Sequence, residues 1–273
     1  MAEVSYIKIK NVRKEFPPLT AKDRGTLAIR DISLEVDKGR FVSICGPSGC
    51  GKSTLLQIVA GLMAGSSGEV WLEKKQITHP PFEMIYVFQQ YTKSIFPWKT
   101  VHQNVAFGLE NREKMDGKVI RKKCEEYIDL VGLTGFENHY SWQLSGGMQQ
   151  RVAIARALVC QPQVLLMDEP FSSVDALTRS GLQDFLLKIW ADFSLTVLFV
   201  THDIEEAIYL SDTVVVLSKA PAVVMDRVAI DLPYPRDQLI TKESPRYIQF
   251  RHDIFSKVFA EEAEVHKSAS AAV

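Results

Sequence analysis

Residues 44–58 read ICGPSGCGKSTLLQI. A short apolar run, FVSICG (41–46), leads into this stretch, and a segment of helical spacing, STLLQIVAGL (53–62), leaves it. The loop between them holds Gly46, Pro47, Ser48, Gly49, Cys50 and Gly51, and ends on Lys52, Ser53 and Thr54. A backbone stripped of large side chains lets N–H groups approach a ligand closely, and the helix N-terminus that follows adds partial positive charge. The spacing G-x-x-x-x-G-K-[ST] between a strand and a helix is that of a phosphate-binding loop. In this reading the loop amides form an anion nest, Lys52 neutralises the β- and γ-phosphates, and Ser53 holds Mg²⁺. A plain glycine-rich turn is the competing reading, and the flanking strand and helix argue against it.

Outward from this loop, YIKIKNV (6–12) and LAIRDISLEV (27–36) alternate as strands, with a turn-rich FPPLTAKDRG between them. EVWLE, MIYVFQ, TVLFV (196–200) and TVVVL (213–217) read as further strands, and VLLMD (164–168) as an apolar strand covered on both faces. VIRKKCEEYIDLVGL places Ile120, Cys124, Tyr127, Ile128 and Val131 on one helical face, with Gly132 at its C-terminal end. GGMQQRVAIARALVC reads as a second helix, and PRYIQFRHDIFSKVF as a closing amphipathic one. Strands alternating with helices predict an α/β fold with a mixed, mostly parallel sheet, an N-terminal antiparallel β subdomain and a helical subdomain over about 90–160. The main domain is expected over 1–258, with a small, polar tail, 259–273, that frays.

Composition narrows the function. The 273 residues carry a net charge of −1, which excludes a basic nucleic-acid binder as a whole molecule. No apolar run reaches the roughly 18 residues of a membrane span, and MAEVSYIKIK lacks a signal-peptide core, so a cytosolic chain is expected. Cys45, Cys50, Cys124 and Cys160 are scattered without metal spacing and are expected as reduced thiols.

Two further motifs carry chemistry. VLLMDEP (164–170) ends a buried strand on Asp168, placed to reach a magnesium shell, and Glu169 beside it could polarise an attacking water. A strand simply running into a solvated turn is the alternative. LSGGMQQR (144–151) opens a helix with Ser145, Gly146 and Gly147, either a cap or a second anion site. Together with the first loop, this motif resembles the signature of the ATP-binding cassette (ABC) ATPases, and the resemblance runs from about residue 5 to 255.

The resemblance implies a head-to-tail dimer of two such subunits, with ATP and Mg²⁺ clamped between the loop of one and the Ser145 segment of the other. It implies that Gln89 in VFQQ senses magnesium and the attacking water, that Asp175 in SSVD crosses the dimer interface, and that His202 in VTHD contacts the γ-phosphate. Phe16 in RKEF occupies the place of an adenine-stacking aromatic, where tyrosine is more usual; a core role is the alternative. Catalysis would rest on Glu169, His202, Gln89 and Lys52, and the metal on Ser53, Gln89 and Asp168.

Two tasks fit such an ATPase: a transport motor, or a soluble machine of DNA repair or translation. Repair-type relatives insert a coiled coil between the two loops, whereas Lys52 and Ser145 lie 93 positions apart (52 to 145). Translation-type relatives usually carry two cassettes. A separate transmembrane permease is therefore the expected partner, with a periplasmic binding protein behind it and no nucleic acid. FPW-x-TV-x-x-NV resembles the bacterial importers of nitrate, taurine and aliphatic sulfonates, so the cargo class is a small anion, bicarbonate included. Such a subunit sits peripherally on the cytoplasmic face of the inner membrane. Residues 91–107, around Phe96, Pro97 and Trp98, either receive a permease helix or cover the subdomain's own core. The stretch from Gln89 to Trp98 is about two residues longer than is common in that family.

Overall fold

The computed structural model describes residues 5–18, 25–89, 94–110, 115–172 and 174–270, with side chains to residue 258. The chain divides into two units. The first comprises residues 1–81 and 183–273, the second residues 82–182.

The first unit opens with β1 (Ile7–Phe16), β2 (Thr26–Val36) and β3 (Phe41–Cys45), followed by α1 (Lys52–Val59), β4 (Ser67–Leu72) and β5 (Lys75–Gln76). In β2, Ile29, Ile32, Leu34 and Val36 are buried and the polar residues between them face out, so this strand is covered on one side. All five residues of β3 are buried. Each such aliphatic side chain removed from water contributes about 1.5–3 kcal/mol, which is why uninterrupted apolar runs settle in the interior.

The second unit holds β6 (Met84–Val87), α2 (Val101–Glu110), α3 (Gly117–Leu130), a 3-10 turn (Ser141–Gln143), α4 (Gly146–Leu158) and β7 (Val164–Asp168). It also takes the first residues of α5 (Ala176–Phe193), through Leu182. It holds the segment expected to be helical, about 90–160, together with β6 and β7, which pair in parallel, and α4 packs on β6. Helix α3 buries Cys124, Tyr127 and Ile128 as its periodicity requires, begins on the Asp116 carboxylate, which accepts from the Lys118 amide at 2.7 Å, and ends at Gly132, whose φ is +69°.

The first unit resumes with β8 (Thr196–Thr201), α6 (Ile204–Leu210), β9 (Thr213–Leu217), β10 (Ala222–Ala229), α7 (Ile240–Glu243) and α8 (Pro245–Ser270). Its strands run in the order β5-β4-β1-β2-β10-β9-β3-β8. The β1, β2, β4 and β5 ladder is antiparallel, as expected, and β3 pairs in parallel with both β8 and β9. The α8 backbone stays helical to Ser270, past residue 258, where the sequence suggests the domain ends.

Candidate active site

The first unit brings the glycine loop and His202 to one sheet edge. In the parallel register Cys45 faces Thr201, so Gly46 and His202 both leave the C-terminal ends of neighbouring strands, the usual place for ligands in such sheets. The loop is held by its own lysine. Lys52 is buried, and its Nζ donates to the carbonyls of Gly46 and Pro47, each at 2.9 Å. Two of three ammonium protons are thereby fixed on the backbone, and the third is left for a ligand.

Helix α1 starts on Gly51 at φ +108°, with no side-chain cap and no acidic residue in its first turn. Glycine is required there twice over: the φ is left-handed, and a Cβ would come within 3.2 Å of the Ala28 carbonyl. A buried cation beside an uncapped helix N-terminus is an anion site, and these residues fit a nucleotide's phosphates. Ser53 and Thr54 lie half-buried in the first turn. Phe16 is the last residue of β1, paired with Thr26, half-buried, with Lys14 Nζ 5.0 Å from its ring centre. It is not a core residue.

The second unit brings Gln89, Asp168 and Glu169 together. Val87 and Met167 are partners in the β6–β7 ladder, so the residues that follow them emerge side by side. Asp168 is buried and accepts from the Tyr86 hydroxyl at 2.8 Å. Gln89 Nε2 donates to Glu169 Oε2 at 3.1 Å, which leaves the amide oxygen of Gln89 as a metal-type donor. Glu169 has a φ of +42°, a left-handed backbone that costs a residue with a Cβ about 1–2 kcal/mol. Such strain is held where side-chain direction matters. Within this unit the Gln89 amide oxygen and the Asp168 carboxylate are oxygen donors of the kind that Mg²⁺ takes, and in the first unit the Ser53 hydroxyl is another.

The same unit carries the Ser145 segment. Ser145 caps α4, its Oγ accepting from the Met148 amide at 3.3 Å, and Ser145 and Gly146 are exposed. A Cβ on Gly147 would stand 2.5 Å from Thr178 Cγ2. Asp175 caps α5, accepting from the Thr178 amide at 3.0 Å, and that bond holds its carboxyl below the usual range. Ser173 of the SSVD segment lies outside the described residues.

Sequence reasoning missed three positions. Tyr86 orients Asp168. Gln150 is buried and donates from Nε2 to the Pro170 carbonyl at 2.7 Å, tying α4 to the residue after Glu169. Asn104 is buried too: its Oδ1 accepts from the Phe96 amide at 2.8 Å, and its Nδ2 donates to the carbonyls of Phe96, Lys99 and Thr100 at 3.0–3.1 Å. A lone Asn on the apolar face of α2 was the signal.

This clamp shapes the FPW loop. Phe96 turns inward against Phe107 at 4.6 Å and lies 5.7 Å from the Arg156 guanidinium, whereas Trp98 is 70% exposed. Phe96, Phe88, Phe107, Arg156 and Cys160 line a groove of about 760 Å³ in this unit. The extra length noted between Gln89 and Trp98 falls partly on residues 90–93, outside the described residues.

Residues 29–172 match the family described as ABC transporter. This chain belongs to the ABC transporter ATPases. It is 42% identical to the aliphatic sulfonates import ATP-binding protein SsuB of Bacillus cereus, over 92% of this chain and 95% of that protein. It is 44% identical to the nitrate import ATP-binding protein NrtC of Synechococcus elongatus, over 84% of this chain and 35% of that protein. The dimeric structure of MJ0796, a bacterial ABC transporter cassette, superposes with a TM-score of 0.72 at 33% identity, covering 83% of this chain and all of that one. The ABC fold, a mixed α/β sheet with a helical part, is thereby shown, and with it an ATP-binding, ATP-hydrolysing cassette. Among the described residues, no helix is long and apolar enough to cross a membrane.

Proposed function

We propose that this ABC ATPase is the motor of a bacterial importer for a small anion of the nitrate, sulfonate, taurine or bicarbonate class. It works from the cytoplasmic face of the membrane with a separate permease and a periplasmic binding protein. Two subunits close head to tail, and ATP lies between the Lys52 loop of one and the Ser145 segment of the other. Lys52, the loop amides and the opposing Ser145–Gly147 turn compensate the phosphate charge. Phe16 stacks on the base, and Asp175 crosses the interface. Gln89 orients the attacking water, Glu169 takes its proton, and His202 contacts the γ-phosphate. Mg²⁺, held by Ser53, Gln89 and Asp168, supplies charge neutralisation on the phosphates when bound. Hydrolysis breaks the bond to the γ-phosphate, and loss of that phosphate removes the attraction that joins the halves, so they part.

The observation that carries the import reading is the aromatic groove. A cassette acting alone has no use for an exposed Trp98 beside an apolar cleft, whereas a permease helix fits such a groove. The relatives named as import proteins support the same reading. Reconstitution of Trp98→Ala with its permease tests it. Transport falls about tenfold or more while basal ATPase stays within about twofold, the loss expected when one aromatic anchor leaves an interface. Transport at the normal rate overturns the docking role.

A further inference from the structure

We propose that Glu206 is a positioning residue for His202, acting through the hydroxyl of Thr201. This inference rests on the assignment of His202 to the γ-phosphate. His202 is an exposed residue wedged between the end of β8 and the start of α6, and the residues around it are not exposed. Thr201 is 1% exposed and Glu206 is 6% exposed. A carboxylate at that depth costs several kcal/mol unless it does something for its neighbours.

The geometry shows what it does. Thr201 Oγ1 donates to Glu206 Oε2 at 2.8 Å and accepts from the Asp203 amide at 3.0 Å. One hydroxyl therefore staples residue 201 to residue 203, directly across His202. A hydroxyl has a single proton. With that proton committed to Glu206, a lone pair must face the Asp203 N–H, and the staple holds. Without an acceptor at Glu206, the hydroxyl rotates freely and its proton can turn toward the amide, which breaks the staple.

Glu206 is itself held from both ends. Its backbone amide donates to Asp203 Oδ1 at 3.2 Å within the α6 cap, and Gln183 Nε2 donates to its other carboxylate oxygen at 3.4 Å. Gln183 Oε1 in turn accepts from Gln238 Nε2 at 3.2 Å. His202 thus sits on a hydrogen-bonded base that fixes the backbone on both sides of it.

Steady-state ATPase of the full chain tests this. Glu206→Ala should lower kcat about 10- to 100-fold, the scale of a small misplacement of a catalytic group, with KM for ATP within about twofold. In a His202→Ala background the same change should cost less than about twofold, because two residues acting as one unit do not add. A normal kcat in Glu206→Ala, or a loss that multiplies with that of His202→Ala, overturns the proposal. His202→Ala turning over at the wild-type rate would sink the histidine assignment and this inference together, whereas a slow His202→Ala beside a normal Glu206→Ala sinks the inference alone. Should Glu206→Ala not fold, the Thr201 hydroxyl gives the same answer. Thr201→Val should reproduce the kcat loss and Thr201→Ser should recover most of it; equal rates for the two overturn the role of the hydroxyl.

Discussion

The glycine-bearing N-termini of α1 and α4, the two that carry the phosphate-type motifs, are built differently. Helix α1 begins on Gly51 in the left-handed region, without a side-chain cap, beside a buried Lys52. Helix α4 begins on Ser145, which caps its own helix at 3.3 Å, and Ser145 and Gly146 stand exposed. The first terminus carries its own cation and can hold an anion alone. The second carries no lysine in its GGMQQ opening and satisfies one of its own donors, which makes it the weaker anion site of the two. One strong and one weak half-site is what a nucleotide-gated association requires: two strong ones would close without ATP chemistry deciding anything.

The comparison breaks most visibly at Lys52. Lys52→Ala removes both the charge and the two bonds that fold the loop over Gly46 and Pro47. Nucleotide binding and turnover should fall by about a hundredfold or more, the scale of losing one preorganised donor to developing charge. Equilibrium binding of a fluorescent nucleotide and ATPase assays check this, and an unchanged rate would remove Lys52 from the site.

Gly147→Ala comes next and should separate the two termini. The new Cβ would meet Thr178 Cγ2 at 2.5 Å, so the Thr178 side chain or the turn must give way. Turnover should drop about tenfold, while the affinity of the single subunit for ATP stays as it was. If monomer affinity falls as it does for Lys52→Ala, the two half-sites are not distinct.

How far these half-sites were legible before the structure differs by region. The Lys52 loop follows from spacing alone, since glycine, lysine and serine have few other reasons to stand in that order. β3, β7 and β8 are continuous apolar runs and announce themselves, but β10 places Asp226 and Arg227 inside its apolar run, and the pairing with β9 supplies what its sequence lacks. The partners of Asn104, Gln150 and Glu206 were not legible, although the lone Asn104 on an apolar helix face stood out. Each partner is a backbone carbonyl or hydroxyl 4 to 20 residues away that only the folded backbone turns toward the side chain. Phe16 was open between core and ligand, and its half-exposed place at the end of β1 decides only against the core.

Ser145→Ala should act more gently. The lost cap is worth about 1 kcal/mol. For a chain of this size that lowers Tm by about 2–4 °C, readable by calorimetry, with turnover declining in proportion to the fraction of α4 termini that fray. A Tm shift without any change in turnover would make Ser145 a cap and nothing more.

The smallest effect lies under the strong half-site. Cys45 ends β3, and burial pushes its thiol up to about 12, against some opposing pull from the Lys52 charge. In the unfolded chain the same thiol ionises near pH 9. Between these values the folded state binds the proton that the unfolded state releases, so stability is full below pH 9 and declines as pH rises. At pH 9 the loss is about 0.4 kcal/mol, the free energy of a half-ionised group, growing by about 1.4 kcal/mol per further unit. Cys124, pushed up to about 11 chiefly by burial, adds a parallel slope in the second unit. Denaturant titrations at pH 8, 9 and 10 should show this decline, and Cys45→Ala should flatten it once its own constant cost is subtracted. A slope unchanged in Cys45→Ala would mean that the thiol reaches water in the folded chain, and that the strand beneath the phosphate loop is looser than its full burial implies.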